Sequence, residues 1–353
     1  MSDLKARLIK NSTIDMTATL ADSKIYTKKD MIPTKVPMIN VALSGTVDGG
    51  ITPGLTMLAG PSKHFKTGFA LLLASSFLEK YPEDGIVLFY DSEFGTPQEY
   101  FNTFGIPFDK VIHTPITDIE ELKFDIMTQL KEITRKDRVM IIIDSIGNLA
   151  SKKEVEDALD QKSVADMSRA KQLKSLFRMV TPHLTLKDVP MAVINHTYKT
   201  MEMYSKDVVG GGTGSYYSAD AIWILGRQQD KDDKTKELEG YHFVINIEKS
   251  RYVKEKSKIH ITVSFEGGIN RWSGLLDIAL EGGYIVKPKN GWYALVDRTT
   301  GEVQEPSKRA ADIVDNKAFW VKMFTDTDFS KYIEKTYKMS HGAIMGDDDA
   351  ATS

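Results

Sequence analysis

The feature that most limits the folds open to this chain is a short polar loop between a strand pattern and a helix pattern. Residues 60–67 read GPSKHFKT; the apolar run LTMLA precedes them, and an apolar helical pattern follows as far as residue 80. In a loop of this kind, successive backbone N–H groups and the N-terminus of the helix face phosphate oxygens. The pattern therefore predicts a nucleotide-binding site on a fold that contains both strands and helices.

This loop supplies the candidate nucleotide-binding residues. They are Gly60, Pro61, Ser62, Lys63, His64, Phe65, Lys66 and Thr67. We expect Lys66 to reach the β- and γ-phosphates of ATP and the Thr67 hydroxyl to bind Mg²⁺. The usual motif has glycine directly before the lysine, where this chain has Phe65, so a turn that precedes a helix by chance is the alternative.

Carboxylates at the ends of two apolar strand patterns are the predicted partners of the loop. The run RVMIIID ends at Asp144, about 80 residues after the loop, where an ATPase of this kind places the Asp that holds Mg²⁺. The run IVLFYD is followed by Glu93, which we predict to polarise a water molecule for attack on the γ-phosphate. The alternatives are a strand-end Asp that caps the next element and a surface Glu in a loop.

Short β-rich runs alternate with helical patterns as far as residue 196, which predicts a parallel sheet with crossover helices. The helical patterns include 67–80, 119–133 and 155–180. After Gly214 three strand patterns follow one another without helices between them, which predicts an antiparallel extension of the sheet. The predicted fold is α/β. Residues 1–36 are expected to form an N-terminal helix and linker, residues 37–270 the core, and residues 271–353 a small α+β domain with a disordered acidic end.

The composition limits the possible partners. The 353 residues include 46 basic and 49 acidic ones, so the formal charge is −3 and any nucleic-acid site must be local. The chain contains no cysteine, which excludes disulfides, thiolate metal sites and a cysteine nucleophile. The longest apolar-rich run, 69–78, has about half of the ~20 residues that cross a bilayer, and the N-terminus lacks the apolar core of a signal peptide. We therefore expect a cytoplasmic protein with no membrane partner.

Several segments resemble the RecA-type strand-exchange recombinases, most closely the branch found in T-even-type bacteriophages. The similar segments are GPSKHFKT, YDSEFG, IIIDSIGNLASKKE, INHT, GGGTG, EKSR and KPKNGWY. The resemblance extends from the first residues to about Trp320. It implies a RecA-like ATPase core with ATP and Mg²⁺ as cofactors. The phage branch also has Phe before the loop lysine, so Phe65 favours this branch rather than the loss of ATP binding.

The resemblance also implies roles for residues of the ATP site. Glu93 matches the general base that activates the hydrolytic water, and Tyr100 matches a residue that stacks on adenine. His196 takes the place of a polar residue, usually Gln, that senses the γ-phosphate. Lys249 and Arg251 match two cations that reach the ATP of a neighbouring subunit. The alternatives are a Tyr that covers the core, a structural His, and an edge strand protected by lysines.

In the family, a mobile DNA-binding loop follows each of the strands that end here at Asp144 and His196. The first loop corresponds to residues 148–166 and the second to residues 197–217. The candidate DNA-binding residues are Lys152, Lys153, Lys199, Lys206, Tyr198 and Tyr204. Interleaved lysines and aromatics suit single-stranded DNA, because bases stack on rings while cations contact the backbone. A solvated helical face is the alternative for the first loop.

The function implied is that of an ATP-dependent recombinase, which forms a helical filament on single-stranded DNA and exchanges strands with a homologous duplex. Its ATPase activity would depend on DNA, and head-to-tail contacts would build the filament, with the basic N-terminal arm on the next subunit. Single-strand-binding and loading proteins are expected partners, in the host cytoplasm. Two alternatives remain: a ring-shaped helicase or motor on the same core, and a single-strand-coating protein in which Phe65 has disabled the ATPase.

Overall fold

The described part of the chain comprises two units. The computed structural model describes residues 2–23, 31–160, 168–200, 207–232 and 235–339. Contacts divide the chain into Met1–Met31 and Ile32–Ser353. The first unit contains helix α1 (Ser2–Lys10), and Leu4 and Leu8 of this helix are exposed. The division into three parts at residues 36 and 270 stays a prediction.

Helices and strands of the second unit follow one another in the alternating order that the sequence predicts. The helices are α2 (Pro37–Ser44), α3 (Lys66–Lys80), α4 (Gln98–Thr103), α5 (Ile119–Glu132), α6 (Lys152–Leu159), α7 (Ser168–Lys187), α8 (Thr213–Ser218), α9 (Leu275–Glu281), α10 (Ala311–Val314), α11 (Lys317–Asp326) and α12 (Phe329–Tyr337). The strands are β1 (Gly54–Ala59), β2 (Gly85–Asp91), β3 (Val111–Pro115), β4 (Arg138–Asp144), β5 (Pro190–Asn195), β6 (Thr197–Lys199), β7 (Asp207–Val209), β8 (Ala221–Lys231), β9 (Leu238–Ser250), β10 (Lys258–Ser264), β11 (Gly268–Ile269), β12 (Ile285–Lys289), β13 (Trp292–Leu295) and β14 (Lys308–Arg309).

The main sheet of the described chain has nine strands in the order β11-β10-β9-β8-β1-β5-β4-β2-β3. Strands β8, β1, β5, β4, β2 and β3 run parallel, whereas β8, β9, β10 and β11 pair antiparallel. Both the predicted parallel sheet and its antiparallel extension are therefore confirmed. The C-terminal part adds a small sheet of β12, β13 and β14 beside its helices, in agreement with the α+β prediction.

Apolar side chains alternate between the two faces of the main sheet. Along β4, Met140 and Ile142 belong to one buried cluster, and Ile141 and Ile143 belong to the other. The first cluster includes side chains of α2, α3, α9, α11 and α12, and the second includes side chains of α5 and α7. Since both faces of the central strands are covered, the charged side chains of β2 and β4 lie at the ends of these strands.

Within the described residues, the helical pattern predicted over 155–180 corresponds to two helices. Helix α6 ends at Leu159, and α7 continues to Lys187 with Pro182 inside it. Helix α6 begins at Lys152, three residues before the predicted start at 155. Ser151 caps it there, because its hydroxyl accepts a hydrogen bond from the N–H of Glu154 in a capping box. Within the described ranges, none of the helices combines the length and the apolar character that crossing a membrane requires.

Candidate active site and nucleic-acid interface

The candidate site lies where the parallel strands end. Asp91 at the end of β2 is directly opposite Asp144 at the end of β4, and Ala59 at the end of β1 is opposite Asn195 at the end of β5. The Gly60 N–H donates to the Asn195 carbonyl at 3.3 Å, which ties the start of the loop to β5. The sheet thus brings the loop and both acidic strand ends to one edge, where α/β folds bind nucleotides.

Lys66 is the first residue of α3 and is buried. Its ammonium donates to the carbonyl oxygens of Gly60, at 3.1 Å, and Pro61, at 2.8 Å. Burial lowers the pKa of Lys66 from its ordinary value, because removal from water disfavours the charged form. Among the described residues this buried cation forms no salt bridge, so it can gain an anionic partner without breaking one, which fits a phosphate group.

Thr67 and Asp144 form the candidate Mg²⁺ site. The Thr67 hydroxyl donates to Asp144 Oδ2 at 2.7 Å, whereas the buried Oδ1 of Asp144 accepts no hydrogen bond from the described residues. Burial raises the pKa of Asp144 to about 6. A buried carboxylate oxygen without a donor, beside a hydroxyl, fits Mg²⁺, which takes oxygen ligands from one or two carboxylates, phosphates and water.

Phe65 occupies the position of the missing glycine in a left-handed conformation, with φ of 59°. Its ring stacks on Phe243 at a centroid distance of 5.5 Å and meets Phe69 edge to face at 5.3 Å. A Cβ on Gly68 would lie 2.5 Å from the Phe65 ring, so the glycine at position 68 leaves room for it. Aromatic packing therefore offsets the strain of a left-handed phenylalanine at the position of the consensus glycine.

The outer half of the loop is held from β8. Arg227 donates to the Lys63 carbonyl at 2.8 Å, and its guanidinium lies 4.5 Å from the centroid of the Tyr241 ring. His64 Nδ1 donates to the Ser62 carbonyl at 2.9 Å, and burial lowers the pKa of His64, which favours the neutral imidazole. The sequence analysis missed Arg227, because the contact joins positions 164 residues apart.

Glu93 meets three hydrogen-bonding side chains at one oxygen, Oε1. The Ser145 hydroxyl donates to this oxygen at 2.6 Å, the Asn148 amide donates at 3.3 Å, and His196 Nε2 lies 3.0 Å from it. The backbone of Glu93 is fixed as well, because its N–H donates to Asp91 Oδ1 at 3.0 Å. The predicted base and the predicted phosphate sensor are thus in contact, whereas Ser145 and Asn148 were not among the predicted site residues.

A cavity of about 980 Å³ joins these groups. The loop from Ser62 to Thr67 lines it together with Glu93, Asp144 and His196. Such a volume lies within the range of ~300–1,000 Å³ that is usual for small-molecule sites. Tyr100 also lines the cavity, but it packs edge to face on Phe104 at 5.4 Å as well, and burial raises its pKa. Its position therefore fits both adenine stacking and a cover over the core.

Lys249 and Arg251 do not line this cavity. The Lys249 ammonium donates to the carbonyls of Tyr216, at 2.8 Å, and Tyr217, at 3.1 Å. The exposed Arg251 forms an ion pair with Asp220 at 2.5 Å. Neither cation reaches the nucleotide site of its own chain, so the predicted role across a subunit boundary stays a prediction.

The first candidate DNA segment is not a continuous loop, which corrects the sequence-based expectation. Lys152 and Lys153 are the first two residues of α6 and are exposed. The capping box at Ser151 makes this part helical. The sequence analysis also missed Arg169 of α7, whose guanidinium donates at 2.8 Å to the carbonyls of Ile146, Gly147 and Leu149 and so holds the start of the segment.

The second candidate segment begins as a hairpin rather than as a loop. Tyr198 and Lys199 lie in β6, which pairs antiparallel with β7, and both are exposed. The base of the hairpin is tied to the sheet, because the Gly210 N–H donates to the His196 carbonyl at 3.0 Å. The predicted contacts Tyr204 and Lys206 lie outside the described residues.

Comparisons with known proteins match nearly the whole chain. A family model described as the RecA N-terminal domain matches residues 6–270, and a model described as the C-terminal domain of the bacteriophage T4 recombination and repair protein matches residues 272–333. The recombination and repair protein of Enterobacteria phage T4 is 53% identical over 348 residues, which cover 98% of this chain and 88% of the relative. Protein RecA of Tropheryma whipplei is 25% identical over 310 residues, covering 85% of this chain and 68% of the relative. Protein RecA of Bacteroides thetaiotaomicron is 25% identical over 284 residues, covering 79% and 82%.

Proposed function

Because the chain belongs to the RecA family of recombination and repair proteins, we propose that it is an ATP-dependent recombinase that assembles on single-stranded DNA and exchanges strands with a homologous duplex. The observation that carries the ATPase part is the meeting of three groups at one sheet edge: Lys66, the Thr67–Asp144 pair and the Glu93–His196 pair. This set supports the hydrolysis of a nucleoside triphosphate.

Each group has a distinct task in the proposed reaction. Lys66 and the N–H groups at the start of α3 bind the β- and γ-phosphates, and Thr67 and Asp144 hold Mg²⁺. When bound, Mg²⁺ neutralises charge on the phosphates. Glu93 accepts a proton from the attacking water. His196 contacts Glu93 through Nε2, and its proposed task is to donate a ring N–H to the γ-phosphate.

The contacts at the end of β5 support a link between the nucleotide and DNA. His196 is followed directly by the β6–β7 hairpin, and the Asn195 amide donates to the Gly210 carbonyl at 2.8 Å. A movement of His196 toward a phosphate would therefore displace the base of the hairpin that carries Tyr198 and Lys199. This arrangement supports a DNA affinity that depends on the bound nucleotide.

The proposed filament requires contacts between copies of the chain, and two groups of residues outside the nucleotide site are candidates for them. Helix α1 exposes Leu4 and Leu8, which suit packing on a second copy of the chain. Lys249 and Arg251 suit the same kind of contact, since neither lines the cavity of its own chain. A cation supplied by a neighbour would make hydrolysis depend on assembly.

Electron microscopy with single-stranded DNA tests the proposal, with and without a slowly hydrolysed ATP analogue. We expect helical filaments in the presence of the analogue, and ATP turnover that rises when single-stranded DNA is added. Closed rings with duplex unwinding would instead support a helicase or motor. DNA binding without any turnover would support a coating protein.

The variant Arg251→Ala tests the contribution across the subunit boundary. We expect DNA-stimulated turnover to fall by about 10²-fold or more, whereas binding of ATP to the isolated subunit stays within about threefold of wild type. Equal losses of turnover and of ATP binding would show that Arg251 acts within its own chain. Lys254→Ala, on the same basic segment, is the matched control, because its ammonium donates to the Lys335 carbonyl instead.

A further inference from the structure

The residues that follow Asp91 and Asp144 fasten the ends of β2 and β4 to each other. The Ser92 N–H donates to the Asp144 carbonyl at 2.8 Å, and the Ser92 hydroxyl donates to the Ser145 carbonyl at 2.6 Å. The Ser145 N–H lies 3.0 Å from the Ser92 oxygen and donates to it. Ser145 is fully buried. Its backbone is therefore held at both the N–H and the carbonyl, and its side chain has few alternative directions.

From this fixed position Ser145 makes the shortest of the three contacts to Glu93. Its hydroxyl donates to Oε1 at 2.6 Å, a length typical of a hydrogen bond to an ionised carboxylate. Within the described ranges, Oε2 of Glu93 receives no side-chain hydrogen bond. One carboxylate oxygen is thus held by the protein, and the other is left for the water molecule that the base must activate.

We propose that Ser145 is a positioning residue for ATP hydrolysis, which acts by holding Glu93 through Oε1 so that Oε2 faces the attacking water. This inference rests on the proposed ATPase function. Without the hydroxyl, Glu93 gains rotational freedom, and a displacement of about 1 Å in a catalytic group can lower a rate by about 10²-fold.

Ser145 is better suited to this task than the other two partners of Glu93. Asn148 is exposed, and its amide lies 3.3 Å from Oε1. His196 is one-third exposed and precedes the β6–β7 hairpin, so its position depends on that hairpin. Ser145 alone of the three is buried and attached to the strand that also carries Asp144.

The test compares Ser145→Ala with wild type in the full chain, with saturating single-stranded DNA. Alanine removes the hydroxyl and keeps the backbone hydrogen bonds to Ser92. We expect kcat for ATP to fall by about 10- to 30-fold, while KM and the affinity for a slowly hydrolysed ATP analogue stay within about threefold. Ser76→Ala is the matched control and should leave turnover unchanged, because Ser76 is a buried serine whose hydroxyl donates to the Leu72 carbonyl within α3.

A double-mutant cycle separates positioning from a general structural effect. In a Glu93→Ala background, Ser145→Ala should lower the residual single-turnover rate by less than about twofold, because the hydroxyl no longer has a carboxylate to hold. The same loss in both backgrounds, or an unchanged kcat in Ser145→Ala alone, would overturn the proposal.

Two further measurements separate a failure of the Ser145 proposal from a failure of the proposed ATPase function. Ser92→Ala keeps the Ser145 hydroxyl but removes the two hydrogen bonds that the Ser92 hydroxyl makes with the Ser145 backbone, so we expect a smaller loss, about three- to tenfold. Turnover in Ser92→Ala equal to wild type would count against the inference even if Ser145→Ala failed to fold. If the wild-type chain showed no ATP turnover, the proposed function itself would be wrong. If wild type and Ser145→Ala hydrolysed ATP at the same rate, only the role of Ser145 would be wrong.

Discussion

The nucleotide edge of the sheet and the candidate DNA segments are close in sequence, but their side chains are held in different ways. At the nucleotide edge, Lys66, Asp144 and Ser145 are buried, and each makes hydrogen bonds to particular atoms of the loop or of a neighbouring strand end. In the DNA segments, Lys152 and Lys199 are exposed on a short helix and a hairpin. The proposed chemistry at the first region depends on single atoms, whereas the proposed DNA binding at the second depends on a sum of exposed charges and rings.

This difference predicts two kinds of response to mutation. Loss of one group at the nucleotide edge should slow one step of the reaction by about tenfold or more, because each buried charge or hydrogen bond acts on particular atoms. Loss of one lysine in the DNA segments should weaken binding gradually, because every cation releases its own counterions. The experiments below are ordered by the size of the effect that this comparison requires.

The largest effect is expected for Lys66→Ala. The variant removes the buried cation that we propose binds the phosphates, and we expect ATP turnover to fall by about 10³-fold, as for the loss of a preorganised charge in other sites. The measurement is steady-state turnover with saturating single-stranded DNA. Lys80→Ala, at the other end of α3, is the control and should retain turnover. A tenfold or smaller loss in Lys66→Ala would remove the contrast between the two regions.

The nucleotide edge could be predicted from the sequence because its information is local. Lys66 and Thr67 lie in one motif, Asp144 ends an apolar run, and a parallel sheet brings the ends of such runs to one edge. The same logic predicted that Glu93 belongs to this site, and the structure brings it into contact with His196.

Other contacts could not be predicted because they depend on how distant segments align. The Ser145–Glu93 hydrogen bond requires a particular register of β2 against β4, and the Arg227–Lys63 contact joins the phosphate loop to β8. The DNA segments have no motif of their own; the candidates Lys152 and Lys153 came from a family resemblance, and the capping residue Ser151 places them on a helix.

The next effect concerns the buried charge of Asp144. Its pKa is raised from 3.8 to about 6, so ionisation disfavours the folded state by about 3 kcal/mol above pH 6. Below pH 3.8 Asp144 is protonated in both the folded and the unfolded chain, so it does not lower the free energy of unfolding. The free energy of unfolding falls as the pH rises from 3.8 through about 6. Asp144→Asn should therefore unfold with a free energy about 3 kcal/mol higher than wild type at pH 7, without Mg²⁺ and nucleotide, and about equal to it at pH 3.5.

Urea unfolding at both pH values measures this difference. Asp137→Asn is a control of opposite sign, because hydrogen bonds from Thr134 lower the pKa of the exposed Asp137, so its replacement should not stabilise the chain at pH 7. Addition of Mg²⁺ and an ATP analogue should stabilise wild type more than Asp144→Asn. If Asp144→Asn is no more stable than wild type at pH 7, burial of the ionised Asp144 carboxylate does not destabilise the folded chain.

Phe65 tests whether packing, rather than glycine, holds the phosphate loop. In Phe65→Gly the left-handed strain disappears but the contacts with Phe69 and Phe243 are lost, so we expect a net destabilisation of about 2 kcal/mol. Gly68→Ala should destabilise wild type, because the new Cβ would meet the Phe65 ring at 2.5 Å. In the Phe65→Gly background the same change should instead stabilise α3 by up to about 1 kcal/mol.

Thermal unfolding of the two single variants and the double variant measures this coupling. Binding of a slowly hydrolysed ATP analogue to Phe65→Gly should stay within about tenfold of wild type, since the N–H groups and Lys66 remain. Additive effects of the two substitutions would show that the Phe65 ring does not press on Gly68.

The smallest effects are expected in the candidate DNA segments, and they test most directly whether these segments differ from the nucleotide edge. Each of Lys152→Ala, Lys153→Ala and Lys199→Ala should reduce the slope of log affinity for single-stranded DNA against log salt concentration by about 0.7, while ATP affinity without DNA is unchanged. Lys131→Ala, in the last turn of α5, is the control and should leave the slope as it is. The reductions should add in the triple variant, because exposed cations that release separate counterions act independently. If the loss of a single lysine abolished DNA binding, that lysine would behave like a residue of the nucleotide edge. The two regions would then no longer differ in how they respond to mutation.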